Sequence, residues 1–209
     1  MTSLADALMA MDAQDYPGAL AVLETLAPAN DEERATVIFY RAWCREILHD
    51  EDTEELMSCY EEAATLARDP ILGANASFRA GWLLLNAGEQ RRADSAFARS
   101  TDRLSAAGIE YDLFCHAAYW QAVGWERSGR LLDAVELYGK VAVLNALLRP
   151  ECVYRQIQCL TAVGALNEAL SVCEKAEALL AEDQQPRAAE LRRLITQEHK
   201  NLRAAMDAA

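Results

Sequence analysis

A chain of 209 residues, 52% hydrophobic and 25% charged, is long enough to bury a substantial core and too apolar to stay disordered. Its 20 basic and 33 acidic residues leave a net charge of −13, which repels phosphate backbones and anionic lipid surfaces, so neither nucleic acid nor a membrane is an expected partner. The opening stretch MTSLADALMAMDAQD has no basic n-region, carries Asp6 and Asp12 and lacks a long apolar run, which predicts a cytoplasmic protein. The six cysteines, at positions 44, 59, 115, 152, 159 and 173, form no Cys-x-x-Cys pair and are expected to be core thiols.

Apolar residues recur at three- and four-residue spacing almost throughout, without the alternation of strands, and ten breaks rich in Gly, Pro and acidic residues divide the chain into eleven predicted helices. In chain order these group as hairpins over residues 1–30, 31–69, 70–109, 110–148 and 149–182, followed by a helix over 186–205, in one domain. Pro17, Pro70, Pro150 and Pro186 each follow a break, where a first-turn proline costs no helical hydrogen bond. In the first hairpin, Leu4, Leu8 and Met11 form an apolar face with few charges, a candidate surface for a homodimer through residues 1–26. In helix 31–48 the expected core stripe is Tyr40, Trp43, Cys44 and Ile47. The last helix is expected to turn Leu191, Leu194, Ile195 and Leu202 inward, with Arg192, Arg193, Glu198 and Lys200 largely outward, as a polar cap.

The second helices share a phrase. A small residue followed four later by a larger one recurs as Ala19/Leu23, Leu56/Tyr60, Ala93/Phe97, Ala134/Tyr138 and Ala169/Cys173, most clearly in the last three. A few residues before each pair stand Gln14, Glu51, Gly88, Gly129 and Gly164. The matching sites on the first helices are Ala7, Cys44, Gly81, Ala122 and Ile157, followed by Ala10, Ile47, Leu84, Trp125 and Leu160. This is an internal repeat whose small residues let helix backbones approach where they cross.

On these residues the sequence resembles the tetratricopeptide repeat family, in a degenerate, longer-helix variety. Tyr40, Ser77, Ala118 and Val153 stand where the family has its leading Trp. The resemblance implies an all-α, right-handed superhelical solenoid whose first helices line a concave groove that binds peptides or helices. The Lys and Asn set that the family uses to clamp chaperone tails is absent from these helix faces.

No catalytic, metal or cofactor constellation is expected. Asp50, Asp52, Glu54 and Glu61 have the spacing of a calcium loop, but Glu55 occupies the position that needs Gly, and the stretch suits a helix N-terminus. Cys115 and His116 are adjacent on a helix and diverge, and Cys152 and Cys159 have no further ligands. His49 and His199 are expected at the surface.

The informative pattern lies on the first helices. Arg41 and Arg45, then Phe78, Arg79 and Trp82, then Tyr119 and Trp120, then Tyr154, Arg155 and Gln158 line one expected face. Some of these rings could instead pack between repeats, and the arginines could bridge to acids of neighbouring helices. Trp, Tyr and Arg dominate binding hot spots. The expected function is therefore a non-enzymatic adaptor that holds an acidic or aromatic-containing peptide or helix; the second reading is a self-assembling scaffold.

Overall fold

The computed structural model describes residues 2–49, 52–180 and 186–207. They form α1 (Leu4–Asp12), α2 (Tyr16–Thr25), α3 (Asp31–Leu48), α4 (Thr53–Leu66), α5 (Pro70–Asn86), α6 (Gln90–Ala106), α7 (Asp112–Arg127), α8 (Leu131–Leu144), α9 (Arg149–Ala162), α10 (Leu166–Leu179) and α11 (Pro186–Asp207), with no strand among the described residues. Contacts divide the chain into two compact units that meet in sequence between Ile109 and Glu110. The first unit pairs α1 with α2, α3 with α4 and α5 with α6; the second pairs α7 with α8 and α9 with α10, and packs α11 on both α9 and α10. No helix among the described residues is long and apolar enough to cross a membrane.

Starts and stops follow local chemistry. Ser3, Asp15, Asn30, Asp52 and Asp69 each accept a hydrogen bond from a backbone N–H of the first turn of α1 to α5, and Ser3 with Asp6 forms a reciprocal capping box. Asp52 is thus a helix cap; Asp50 and Glu51 lie outside the described residues.

The turn inside the hairpins is repeated almost bond for bond. Gly88, Gly129 and Gly164 take φ of 80°, 82° and 77°, the left-handed region that costs glycine nothing, and Gln14 takes it at 61°. The next residue then donates to the carbonyl five positions back: Asp15 to Ala10, Glu89 to Leu84, Arg130 to Trp125 and Ala165 to Leu160, at 2.8–2.9 Å. Four of the five hairpins therefore close with one turn geometry.

All ten residues of the second-helix pairs are buried, as are Ala7, Cys44, Gly81, Ala122 and Ile157. At Gly81 a Cβ would stand 2.9 Å from Cε1 of Phe97, so the ring lies directly on the backbone there. The core of α3, α4 and α5 gathers Ala35, Phe39, Ala42, Leu56, Tyr60 and Ala76.

Several expected orientations are corrected. Ile47 is exposed, because α3 turns Ala35, Phe39 and Ala42 into the core and leaves its last turn at the surface. In α11 Leu191, Ile195 and Leu202 are buried but Leu194 is exposed, and Arg192 folds back half-buried to donate to the Leu180 carbonyl. In the N-terminal hairpin Met11 is buried and Leu4 and Leu8 are half-buried against Ala19, Leu23 and Cys44, so Met9 is the large apolar side chain of α1 left exposed. His199 is half-buried: its Nε2 accepts from Arg203 Nε at 2.9 Å, which leaves Nδ1–H to donate to Glu177 at 3.1 Å.

Candidate binding face of the first helices

In the first unit, each arginine of the expected face has an intramolecular partner. Arg41 donates through Nε and Nη2 to the Leu23 carbonyl, at 3.1 and 2.6 Å, and so satisfies an end carbonyl of α2. Arg45 pairs with Glu24 at 3.2 Å. Arg79 pairs with Glu46 at 3.2 Å and lies over the Trp43 ring, 5.0 Å from its centre.

The Arg79 arrangement is part of a triad. Tyr60, fully buried in α4, donates its hydroxyl to Glu46 Oε2 at 2.5 Å, while Glu46 Oε1 takes Arg79 from the next hairpin. The second unit builds the same device: Tyr138 donates to Glu126 Oε2 at 2.7 Å, and Arg155 Nη1 reaches the same oxygen at 3.0 Å. Arg155 also pairs with Glu151 at 3.3 Å and has the Tyr119 ring 5.9 Å away. Burial, then the hydrogen bond to carboxylate, pushes both Tyr60 and Tyr138 phenols far up, so each remains a neutral donor. One first helix, its second helix and the following first helix are thereby joined through one carboxylate.

The rings divide into two sets. Tyr119 is buried between Trp120 and Tyr138, and half-buried Phe78 packs on Phe97 at 5.6 Å, so both serve the packing of their unit. Trp82 is 37% exposed and Trp120 is half-buried. Tyr154 accepts from Gln158 at 3.1 Å, one turn along the same helix, with Gln158 exposed.

A shaped surface on this face lies in the first unit. Tyr40 and Trp43 stack at 6.1 Å with 19° between their planes. On one side they border a cavity of about 310 Å³ between α3 and α5, lined also by Ile71, Asn75 and Arg79. On the other they border one of about 170 Å³ lined by Leu8, Met11, Asp12 and Tyr16. Phe39 meets both rings edge-on or tilted and fixes them from behind. Tyr40 and Trp43, expected only as core, thus present faces to solvent-accessible space, and the periodic pattern carried no signal for that. Glu46 and Glu126 were also unforeseen; the signal that could have found them is the need of the buried Tyr60 and Tyr138 hydroxyls for acceptors.

The buried thiols are poor nucleophiles. Desolvation pushes Cys152 up to about 12 and Cys159 and Cys173 to about 11, and Cys115 is buried while His116 is exposed. Cys59 is half-buried and the other five are buried. A disulfide exchange reagent at pH 8 should therefore modify Cys59 quickly and the rest only in denaturant; a second fast thiol would contradict this burial pattern.

No protein-family model matches the chain, and no curated protein matches it. Solved structures do. A putative kinesin light chain with TPR-like repeats from Podosopora anserina superposes with a TM-score of 0.56 at 16% identity, over 86% of this chain and 93% of that one. The apo form of RapI gives 0.66 at 13% identity, over 97% of this chain and 62% of that one. A signal-transduction ATPase with a tetratricopeptide repeat sensor, from Pyrococcus horikoshii, gives 0.64 at 15%, over 96% of this chain and 34% of that one. At such identities the likeness is one of fold: the chain has the all-α, TPR-like solenoid fold.

Proposed function

We propose that the chain is a non-enzymatic protein-interaction module that binds a peptide or helix on its first-helix face, with Tyr40 and Trp43 as the anchor. The observation that carries this is the stacked ring pair bordered by a cavity on each side. Rigid rings supply large contact area at small entropic cost, which is why they dominate hot spots. An aromatic-containing segment fits better than an acidic one, because Arg45, Arg79 and Arg155 already spend their charge on Glu24, Glu46 and Glu126. Asp12 and Asp69 moreover lie close enough to Tyr40 to act on its phenol. Binding should therefore depend little on salt.

The test is selection of peptides from a displayed random library on the full chain, followed by titration. The selected peptides should be rich in Trp, Tyr or Phe, and Trp43→Ala should weaken them by about 2 kcal/mol or more. Trp82→Ala should weaken those whose contacts extend along α5. Selected peptides that bind wild type and Trp43→Ala equally would defeat the reading.

A further inference from the structure

Both units leave a gap between successive second helices, floored by the first helix between them. In the first unit the gap lies between α4 and α6 over α5; in the second, between α8 and α10 over α9. The repeat register aligns their walls residue for residue. Ala64 corresponds to Ala142, Thr65 to Val143, Ser77 to Val153 and Arg103 to Leu179. The two gaps are one structural position lined by two chemistries.

The first gap is polar, and both of its arginines have partners within the chain. Arg103 donates to the carbonyls of Ala67 and Ala64 at 3.0 and 2.6 Å, in space that exists because position 73 is Gly: a Cβ there would meet Arg103 Nη1 at 2.0 Å. Arg99 stands 4.0 Å from Glu61. In the second gap, Thr, Ser and Arg have become Val143, Val153 and Leu179, and Val172 and Ala176 extend the apolar wall. The Ala142 carbonyl is served instead by Arg149 Nε at 2.8 Å, from the position equivalent to Gly73.

One cation persists. Lys175 takes the place of Arg99, but the place of its partner Glu61 is taken by Gly139, and Lys175 makes no ion pair among the described residues. The result is a cavity of about 390 Å³ with mainly apolar walls, with Arg149, Gln156 and Lys175 as its polar points and no carboxylate lining it among the described residues, in a chain of net charge −13. Neither the apolar walls nor the missing carboxylate is required by the fold, since the first unit builds the same gap without them.

We propose that the gap between α8 and α10 is a docking site for an acidic peptide segment that places an aliphatic side chain in the cavity and a carboxylate on Lys175. The ligand's carboxylate takes the role that Glu61 plays in the first unit. The cavity is within the size range of preformed ligand pockets. A peptide fits better than a small amphiphile because the apolar surface continues outside the cavity: Val143 is 78% and Leu179 54% exposed, and a molecule sealed within would leave both wet.

This site is separate from the Tyr40–Trp43 face, so the two readings fail independently. The experiment titrates the full chain with three fluorescent synthetic helical peptides: one of leucine and glutamate, one with lysine replacing glutamate, and one with serine replacing leucine. The first should bind at least tenfold more tightly than the others, and more weakly at high salt. Gly139→Glu, which restores the partner Arg99 has, and Leu179→Asp should each lower its affinity at least tenfold, with the helical circular dichroism spectrum and melting unchanged. Trp43→Ala should leave it unchanged. Equal binding of all three peptides, no binding, or affinity untouched by Gly139→Glu and Leu179→Asp would overturn the proposal. So would loss of binding in Trp43→Ala, binding of dodecanoate in place of the peptide, or occupation of the gap by a second copy, seen as a dimer that Leu179→Asp dissolves.

Discussion

Glu126→Ala should lower unfolding free energy by about 2–3 kcal/mol, among the largest effects of any single polar substitution in the chain. The carboxylate takes both the Tyr138 hydroxyl and the Arg155 guanidinium. Tyr138 is fully buried, so removing its acceptor leaves a donor with nowhere to turn, worth about 1–3 kcal/mol. The ion pair adds less than a buried one would, because the Glu126 and Arg155 side chains remain 26% and 28% exposed and water screens them. Glu126→Gln keeps an acceptor for Tyr138 and should cost about 1 kcal/mol. Adding Tyr138→Phe to Glu126→Ala removes the stranded donor, so the double variant should lose less than the sum of the two singles. Urea denaturation midpoints at constant slope provide the measurement. Equal losses for Glu126→Ala and Glu126→Gln would mean that charge alone holds the triad.

The triad also marks the limit of what a periodic pattern conveys. Small residues at helix crossings are legible because sterics acts through one position at a time: Ala134, Ala169 and Gly81 each announce a close approach. Likewise the turn at Gly88, Gly129 and Gly164 declares itself through the residue type its backbone needs. Glu46 and Glu126 announce nothing, since their role depends on a Tyr in one helix and an Arg in another. Relative to the aligned close-approach sites Cys44 and Ala122, Glu46 lies two residues on and Glu126 four, so even the repeat alignment does not superpose them. The face of arginines read from the first helices is real in sequence, yet its charge is largely answered within the fold. Tyr40 and Trp43 look like core at the same spacing because the rings have one side packed on Phe39 and the other open. Periodicity records the packed side alone.

The register of the repeat, legible from sequence, sets the remaining prediction. Ala134→Leu and Ala169→Leu should each destabilise by about 1–3 kcal/mol, and Gly81→Leu by about 3 kcal/mol, although leucine is a good helix former. Both alanines are fully buried in the second helices of their hairpins. At Gly81 the first carbon added would already lie 2.9–3.2 Å from three atoms of the Phe97 ring. That ring cannot retreat freely, because Phe78 packs on it 5.6 Å away. Gly81→Ala measures the balance directly: helix propensity returns about 1 kcal/mol while the clash removes a comparable amount, so the net change should be small, whereas Leu adds three further carbons with no space for them. Glu54→Gln, exposed in the first turn of α4, is the control and should change stability by less than about 0.5 kcal/mol. Chemical denaturation of the five variants checks the set. Leucine tolerated without loss at all three crossing sites would show that the helices do not approach as closely there as their small residues permit, and the shared register of the hairpins would lose its physical basis.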